Sequence, residues 1–144
     1  MNSATPAAPG SGPRAVNLQA IPDGRGLLCV AECDRHVPFT VKRVFYISGM
    51  RSGVARGHHA HREQMQFIIC PAGALQLDCQ WASGTGSLRL DTPDRGLFVP
   101  AMTWLSFRAE TDEALCMVLA SGPYDESDYI RNADEFKQLL AGAG

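Results

Sequence analysis

The run Arg56-Gly57-His58-His59-Ala60-His61 concentrates the chemistry of this sequence. Three of its four histidines lie at positions 58, 59 and 61, with Arg56 just upstream. On a β-strand, alternate residues share a face, so His59 and His61 project together while Ala60 points away. Two adjacent imidazoles can ligate a metal, or they can move protons near neutral pH. By the same alternation His58 faces away from the pair, toward the core or a subunit boundary.

The elements that carry this run are short strands. Leu27–Glu32 reads as one, and His36-Val37-Pro38-Phe39 breaks the pattern because proline supplies no ladder donor. Lys42–Ser48 is rich in β-branched and aromatic residues. Val54–His61 and Gln64–Cys70 follow, the second alternating at first and then wholly apolar. Leu75, Leu77, Cys79 and Trp81 alternate with Gln76, Asp78 and Gln80, the pattern of a half-buried strand. Ser87–Asp91, Leu97–Pro100, Thr103–Arg108 and Ala114–Ala120 complete the set, with Gly- and Pro-containing turns between them. After Pro123 the pattern changes. Asn132 with Glu135 predicts an N-cap, and Phe136, Leu139 and Leu140 have helical spacing up to Gly142. The carboxylate-rich segment Tyr124–Arg131 reads as a connection whose Asp residues cap backbone N–H groups. The pattern is all-β, a compact antiparallel sandwich or barrel with one short C-terminal helix.

Bulk properties narrow the function. The chain has 144 residues and reads as a disordered tail over residues 1–16 followed by one domain over 17–144. A net charge of -2 gives no basic field, so nucleic acid is not an expected partner. No apolar run approaches the roughly 18 residues of a membrane helix, and no signal peptide is read at the N-terminus. The five cysteines include no CxxC pair, and four lie in apolar runs. They are expected to be free thiols in a reducing cytosol, which places the protein in the cytoplasm.

The pair His59/His61 resembles the first motif of the cupin superfamily, with Gly53 before it and Gly73 after it. In that comparison Gln66 stands where an acidic ligand belongs. The segment Pro100-Ala101-Met102-Thr103-Trp104-Leu105 lacks the glycine and the histidine of the second motif. A catalytic divalent site needs about three protein ligands, and Gln66 is a weak neutral one. No metal is therefore expected, and proton transfer becomes the favoured use of the pair. An imidazole titrates near about 6.5 and can serve as base and acid. Moving a carbonyl by one carbon requires that chemistry, with a cationic or hydrogen-bonding group to hold the enediolate oxygen. Arg56 and Tyr46 are the nearest candidates.

From about Pro22 to Phe136 the chain resembles the sugar-nucleotide 3,4-ketoisomerases, including WxcM-like C-terminal regions. The resemblance rests on Lys42–Ile47, Arg56–His61, Gly96–Trp104, Val118–Ala120 and Tyr124–Arg131. It implies a cupin-type (jelly-roll) β-barrel, a homodimer and an enzyme with no cofactor. The implied reaction takes dTDP-4-keto-6-deoxyglucose to a 3-keto isomer, which is then aminated to a 3-amino-3,6-dideoxysugar for a surface glycan or an antibiotic. It places catalysis at His59 and His61 and substrate binding at Tyr46 and Arg56. Trp104 is read as lining the barrel mouth. Other uses of the fold are a sugar-nucleotide 3,5-epimerase, a metal-dependent oxygenase, or a non-catalytic sugar-nucleotide-binding cupin.

Overall fold

The computed structural model describes residues 11–142. Twelve strands and one helix follow in order: β1 (Arg14–Asn17), β2 (Gln19–Pro22), β3 (Leu27–Val30), β4 (Arg43–Met50), β5 (Ala55–His61), β6 (Gln66–Ala72), β7 (Leu75–Trp81), β8 (Gly84–Leu90), β9 (Arg95–Val99), β10 (Trp104–Ala109), β11 (Ala114–Ala120), β12 (Tyr129–Ile130) and α1 (Ala133–Gly142). Two five-stranded sheets, β1-β9-β6-β11-β4 and β12-β5-β10-β7-β8, face each other, and β2 and β3 form a separate hairpin. This is the expected cupin-type jelly-roll, built as a two-sheet sandwich.

The core between the sheets follows from strand alternation. Leu75, Leu77 and Cys79 of β7 point inward, as do Ile68 and Cys70 of β6, Leu105 and Phe107 of β10, and Cys116 and Val118 of β11. β6 is apolar on both faces because both are covered. Its other face, with Phe67 and Ile69, packs under Leu18, Val37 and Phe39. The His36–Phe39 break is therefore a cover over the first sheet rather than a loose loop. His36 anchors it by accepting a 3.0 Å hydrogen bond from the Glu32 N–H at Nδ1.

One boundary differs from the sequence reading. Ordered strand begins at Arg14, pairing with Phe98 of β9, so the domain starts before residue 17. Residues 1–10 of the expected tail lie outside the described residues. At the other end, Asn132 caps α1 as expected, its Oδ1 accepting from the Glu135 N–H at 2.9 Å. The reciprocal half of the capping box is absent, because the Glu135 carboxylate instead takes the Arg62 guanidinium at 2.7 Å.

Helix α1 lies on the outer face of the second sheet. Its Phe136 is 1% exposed and packs with Ala60 of β5 and Ile130 of β12, with Leu139 and Leu140 alongside. That contact fixes the far face of β5, and so fixes which way His59 and His61 point. All five cysteines are free thiols; Cys70, Cys79 and Cys116 are buried in the core.

Candidate active site

β5 brings its two imidazoles together as the alternation requires. The rings of His59 and His61 meet edge to face with centroids 5.1 Å apart. Tyr129 of β12 packs on both, 5.0 Å from His59 and 4.4 Å from His61. Pairing of Tyr129 opposite His61 puts the phenol ring on their side of the sheet.

His61 is buried and fully engaged. Its Nδ1 lies 2.9 Å from Asp128 Oδ2, and both side chains are 6% exposed. An ionised carboxylate only accepts, so the proton sits on Nδ1 and leaves Nε2 as an acceptor. The Gln66 amide stands 3.3 Å from that Nε2, placed to donate. Asp128 is itself fixed by the backbone N–H groups of Glu63 (2.8 Å) and Gln64 (3.3 Å). Burial pushes the His61 pKa below the ordinary imidazole value, against the pull of Asp128. The Asp128 carboxylate therefore sets the tautomer of a ring that burial keeps neutral.

His59 is the more open of the pair. It lines a cavity of about 330 Å³ together with Arg56, Gln66, Tyr129 and Arg131, the rest of the wall being apolar residues that include Phe45, Ile47 and Leu105. Burial, then the neighbouring His61, lower its pKa, with Arg131 and His58 adding to the effect and a hydrogen bond at the Gly57 backbone opposing it. Both imidazoles are thus held toward the neutral form that accepts a proton. Thr103 closes a small recess beside the two rings and Gln66. It is 3% exposed, and its hydroxyl has no hydrogen-bond partner among the described residues.

The cations differ in how they are held. The Arg131 guanidinium sits 4.2 Å over the Tyr129 ring and is gripped by both oxygens of Glu126 at 2.8 and 3.0 Å. Arg131 and the Tyr124 hydroxyl hold the Glu126 carboxyl down at about 2. Arg56 also lines the cavity and has no ion-pair partner among the described residues. Among the described residues, no three His, Cys, Asp or Glu side chains form a group able to hold a metal. A smaller cavity of about 160 Å³ beside Trp81 has Cys79 as its one titratable lining group, and burial pushes that thiol up to about 12. It offers no proton transfer near neutral pH.

Three of the five expected site residues come together: His59, His61 and Arg56. Two do not. Tyr46 is exposed on the outer face of β4, whereas Phe45 and Ile47 on its inner face line the cavity. Trp104 lies on the outer face of β10 and stacks on Phe136 of α1 at 5.6 Å, so it is not at the barrel mouth. His58 does not face the core; it is exposed, with a φ of 61°. Sequence reasoning did not find Asp128, Tyr129 and Arg131. The Tyr124–Arg131 segment does cap backbone N–H groups, through Asp125 to Ser127 and Asp128 to Glu63. It also delivers the histidine partner, 67 residues from His61 in sequence.

The model of the FdtA family (WxcM-like, C-terminal) matches residues 11–141. The chain belongs to this family of sugar 3,4-ketoisomerases. Among its relatives is the TDP-4-oxo-6-deoxy-alpha-D-glucose-3,4-oxoisomerase of Aneurinibacillus thermoaerophilus, 35% identical over 89% of this chain and 92% of that protein. The solved 3,4-ketoisomerase QdtA of Thermoanaerobacterium thermosaccharolyticum, in complex with TDP, superposes with a TM-score of 0.86 at 30% identity, over 92% of this chain and 96% of that one. A mutant of that enzyme has been solved with TDP-4-keto-6-deoxyglucose; it gives a TM-score of 0.86 at 29% identity over 91% and 95%. The WlaRB TDP-quinovose 3,4-ketoisomerase of Campylobacter jejuni gives 0.82 at 36% identity, over 88% and 97%.

Proposed function

We propose that this family member converts dTDP-4-keto-6-deoxy-D-glucose to a dTDP-3-keto-6-deoxyhexose by metal-independent proton transfer, for deoxyaminosugar biosynthesis. The observation that carries the reading is the pair itself: one imidazole open to the cavity, the other locked between Asp128 and Gln66, with centroids 5.1 Å apart. A 4-keto sugar seated against His59 gives up its carbon-3 proton to that ring. The C3–H electron pair forms the C3=C4 bond while the carbon-4 carbonyl oxygen takes a proton from solvent, giving an enediol. A proton then returns at carbon 4 from the histidine pair, while the oxygen on carbon 3 loses its proton and becomes the ketone. Arg56 and Tyr129 flank the developing oxyanion, and the low polarity of the wall strengthens both interactions. Arg131 supplies the second cation of the cavity for the diphosphate.

The test is incubation with dTDP-4-keto-6-deoxyglucose in deuterated buffer, read by NMR. A 3-keto product carrying deuterium at carbon 4 is expected, unchanged by EDTA and abolished in His59→Asn. Exchange at carbons 3 and 5 with the ketone still at carbon 4 would assign an epimerase instead, and binding without exchange a non-catalytic protein. A homodimer is part of the same reading. The apolar side chains Ile21, Leu27 and Leu28 on the β2–β3 hairpin and Val44 and Tyr46 on β4 are exposed and are the surfaces a second copy would cover. Light scattering at twice the mass of the chain is the expected result.

A further inference from the structure

Beside the histidine pair stands a buried hydroxyl with no part in the steps at carbons 3 and 4. Thr103 immediately precedes β10, whose first residue, Trp104, packs outward on Phe136 of α1. Alternation turns Thr103 to the inner side. The neighbouring Met102 donates its backbone N–H to the His61 carbonyl at 2.7 Å, which ties this turn to β5 at the second imidazole. Thr103 is 3% exposed, and its hydroxyl has no hydrogen-bond partner among the described residues. A hydroxyl sealed from bulk solvent is costly unless it is hydrogen-bonded, and buried groups of this kind are met by ordered water where there is room.

The room is there. Thr103 closes a recess that it shares with His59, His61 and the Gln66 amide. The volume open to the centre of a water molecule is about 10 Å³. One bound water needs about 10–15 Å³ and two to four polar partners. Gln64 also borders the recess, but both ends of its amide are engaged elsewhere, with Pro123 at 2.6 Å and Arg43 at 3.3 Å. The polar side chains left to hold a water are therefore the Thr103 hydroxyl, the two imidazoles and Gln66.

The recess also separates the roles of the pair. His59 lines both the recess and the large cavity, whereas His61 lines the recess and is not part of the cavity wall. A sugar in the cavity thus meets His59 and not His61. The rings touch edge to face, and no hydrogen bond joins them among the described residues. A proton passing between them needs a bridge, and both rings border the recess.

We propose that the recess is a binding site for one water molecule, held by the Thr103 hydroxyl, and that this water carries protons between His59 and His61. The proposal rests on the isomerase reading above. Thr103 is a positioning residue, since it acts through the water and touches no reacting atom. The transfers balance. His59, protonated from carbon 3, gives a proton to the water oxygen as the water gives one of its own to His61 Nε2. The long 3.3 Å bond from Gln66 opens to admit it. His61 then carries the charge against the Asp128 carboxylate, 2.9 Å from its Nδ1. The reverse pair of transfers returns a proton to His59 for delivery at carbon 4, and the water is left as water.

Thr103→Val keeps the shape of the side chain and removes its hydroxyl. We expect kcat to fall about tenfold or more with KM near the parent value, and Thr103→Ser to recover kcat to within about threefold of the parent. The relay also fixes the fate of the label. In deuterated buffer the parent delivers deuterium to carbon 4. In Thr103→Val the hydrogen taken from carbon 3 reappears at carbon 4 severalfold more often, because His59 then carries it across alone. A folded valine variant with parental kcat and parental label at carbon 4 would overturn the relay. Crystallography of the substrate-free protein gives a readout independent of turnover. One water within about 3.2 Å of Thr103 Oγ1 is expected in the parent and in Thr103→Ser, and none in the recess of Thr103→Val. A parent recess without that water refutes the site, and this measurement decides it even where the valine variant does not fold. Absence of 3-keto product from the parent sinks the isomerase reading alone and leaves the water site to the crystal structures.

Discussion

Replacing Asp128 by asparagine changes one oxygen to an NH₂ and removes one buried charge. The carboxylate accepts three hydrogen bonds: from His61 Nδ1 at 2.9 Å, the Glu63 N–H at 2.8 Å and the Gln64 N–H at 3.3 Å. Asparagine keeps its oxygen toward Glu63 and turns its NH₂ toward His61 Nδ1. Two donors then face each other. His61 must move its proton to Nε2, where it meets the Gln66 amide, which must flip in turn. A hydrogen bond to a charged group contributes about 1.5–3 kcal/mol, and the asparagine loses the charge assistance of all three. We expect a stability loss of about 2–4 kcal/mol, read as a fall in Tm of several degrees. The same tautomer change costs kcat about 100-fold, or about 2.7 kcal/mol. KM stays near the parent value, because Asp128 does not line the cavity. The assay is the NMR conversion described above, run beside thermal unfolding of each variant. A folded Asp128→Asn protein with kcat within about twofold of the parent would refute the argument.

The pH dependence has a definite sign. Both histidine pKa values are lowered in the fold, mainly by burial, so the native state favours neutral rings. Below about 6.5 the unfolded chain binds protons that the native pair resists; stability from this source is complete above that pH and lost as pH falls through the native values. The acid limb of kcat/KM therefore lies below about 6.5 and belongs to the pair rather than to either ring. Arg131 lowers both values through its charge, so Arg131→Ala moves that limb to higher pH, measured on the same profile. Thr103→Val removes a buried hydroxyl that has no partner among the described residues and is expected to raise Tm slightly while reducing kcat; unchanged kcat would remove Thr103 from the site. Gly96→Ala would place a methyl 2.2 Å from Phe67 Cε1 in the packed outer face of the first sheet, and a loss of about 1–3 kcal/mol is expected in chemical denaturation.

The sequence carried the alternation of β7, the shared face of His59 and His61, and the Asn132 cap. Each is a local pattern with one physical reading. It did not carry the faces of Tyr46 and Trp104. Strand periodicity separates two faces without saying which one meets the cavity. The inner face of β10 is covered by the sandwich core and α1 packs over Trp104 at one end of its outer face, while the outer face of β4 carries Val44 and Tyr46, residue types that suit a core. A bulge in β5 at His58 was hidden for a related reason. Alternation across 59 and 61 holds, but Arg56 shares their face only because His58 is left over from the pairing. Asp128 was visible as a capping carboxylate, and it does cap; its bond to His61 is a long-range fact that no local spacing encodes.

That long-range bond has a consequence for biosynthesis. His59 and His61 emerge from the ribosome 67 residues ahead of Asp128 in the case of His61, and β12 reaches β5 only after β11 has been made. The two sheets can largely assemble from residues 14–120 before the closing segment arrives. At about 5–20 residues per second, several seconds separate synthesis of the imidazole from that of its carboxylate. The His61–Asp128 bond therefore joins one of the earlier strands to the last one made, and closing it requires β12 to be laid beside β5 after the strands of both sheets exist.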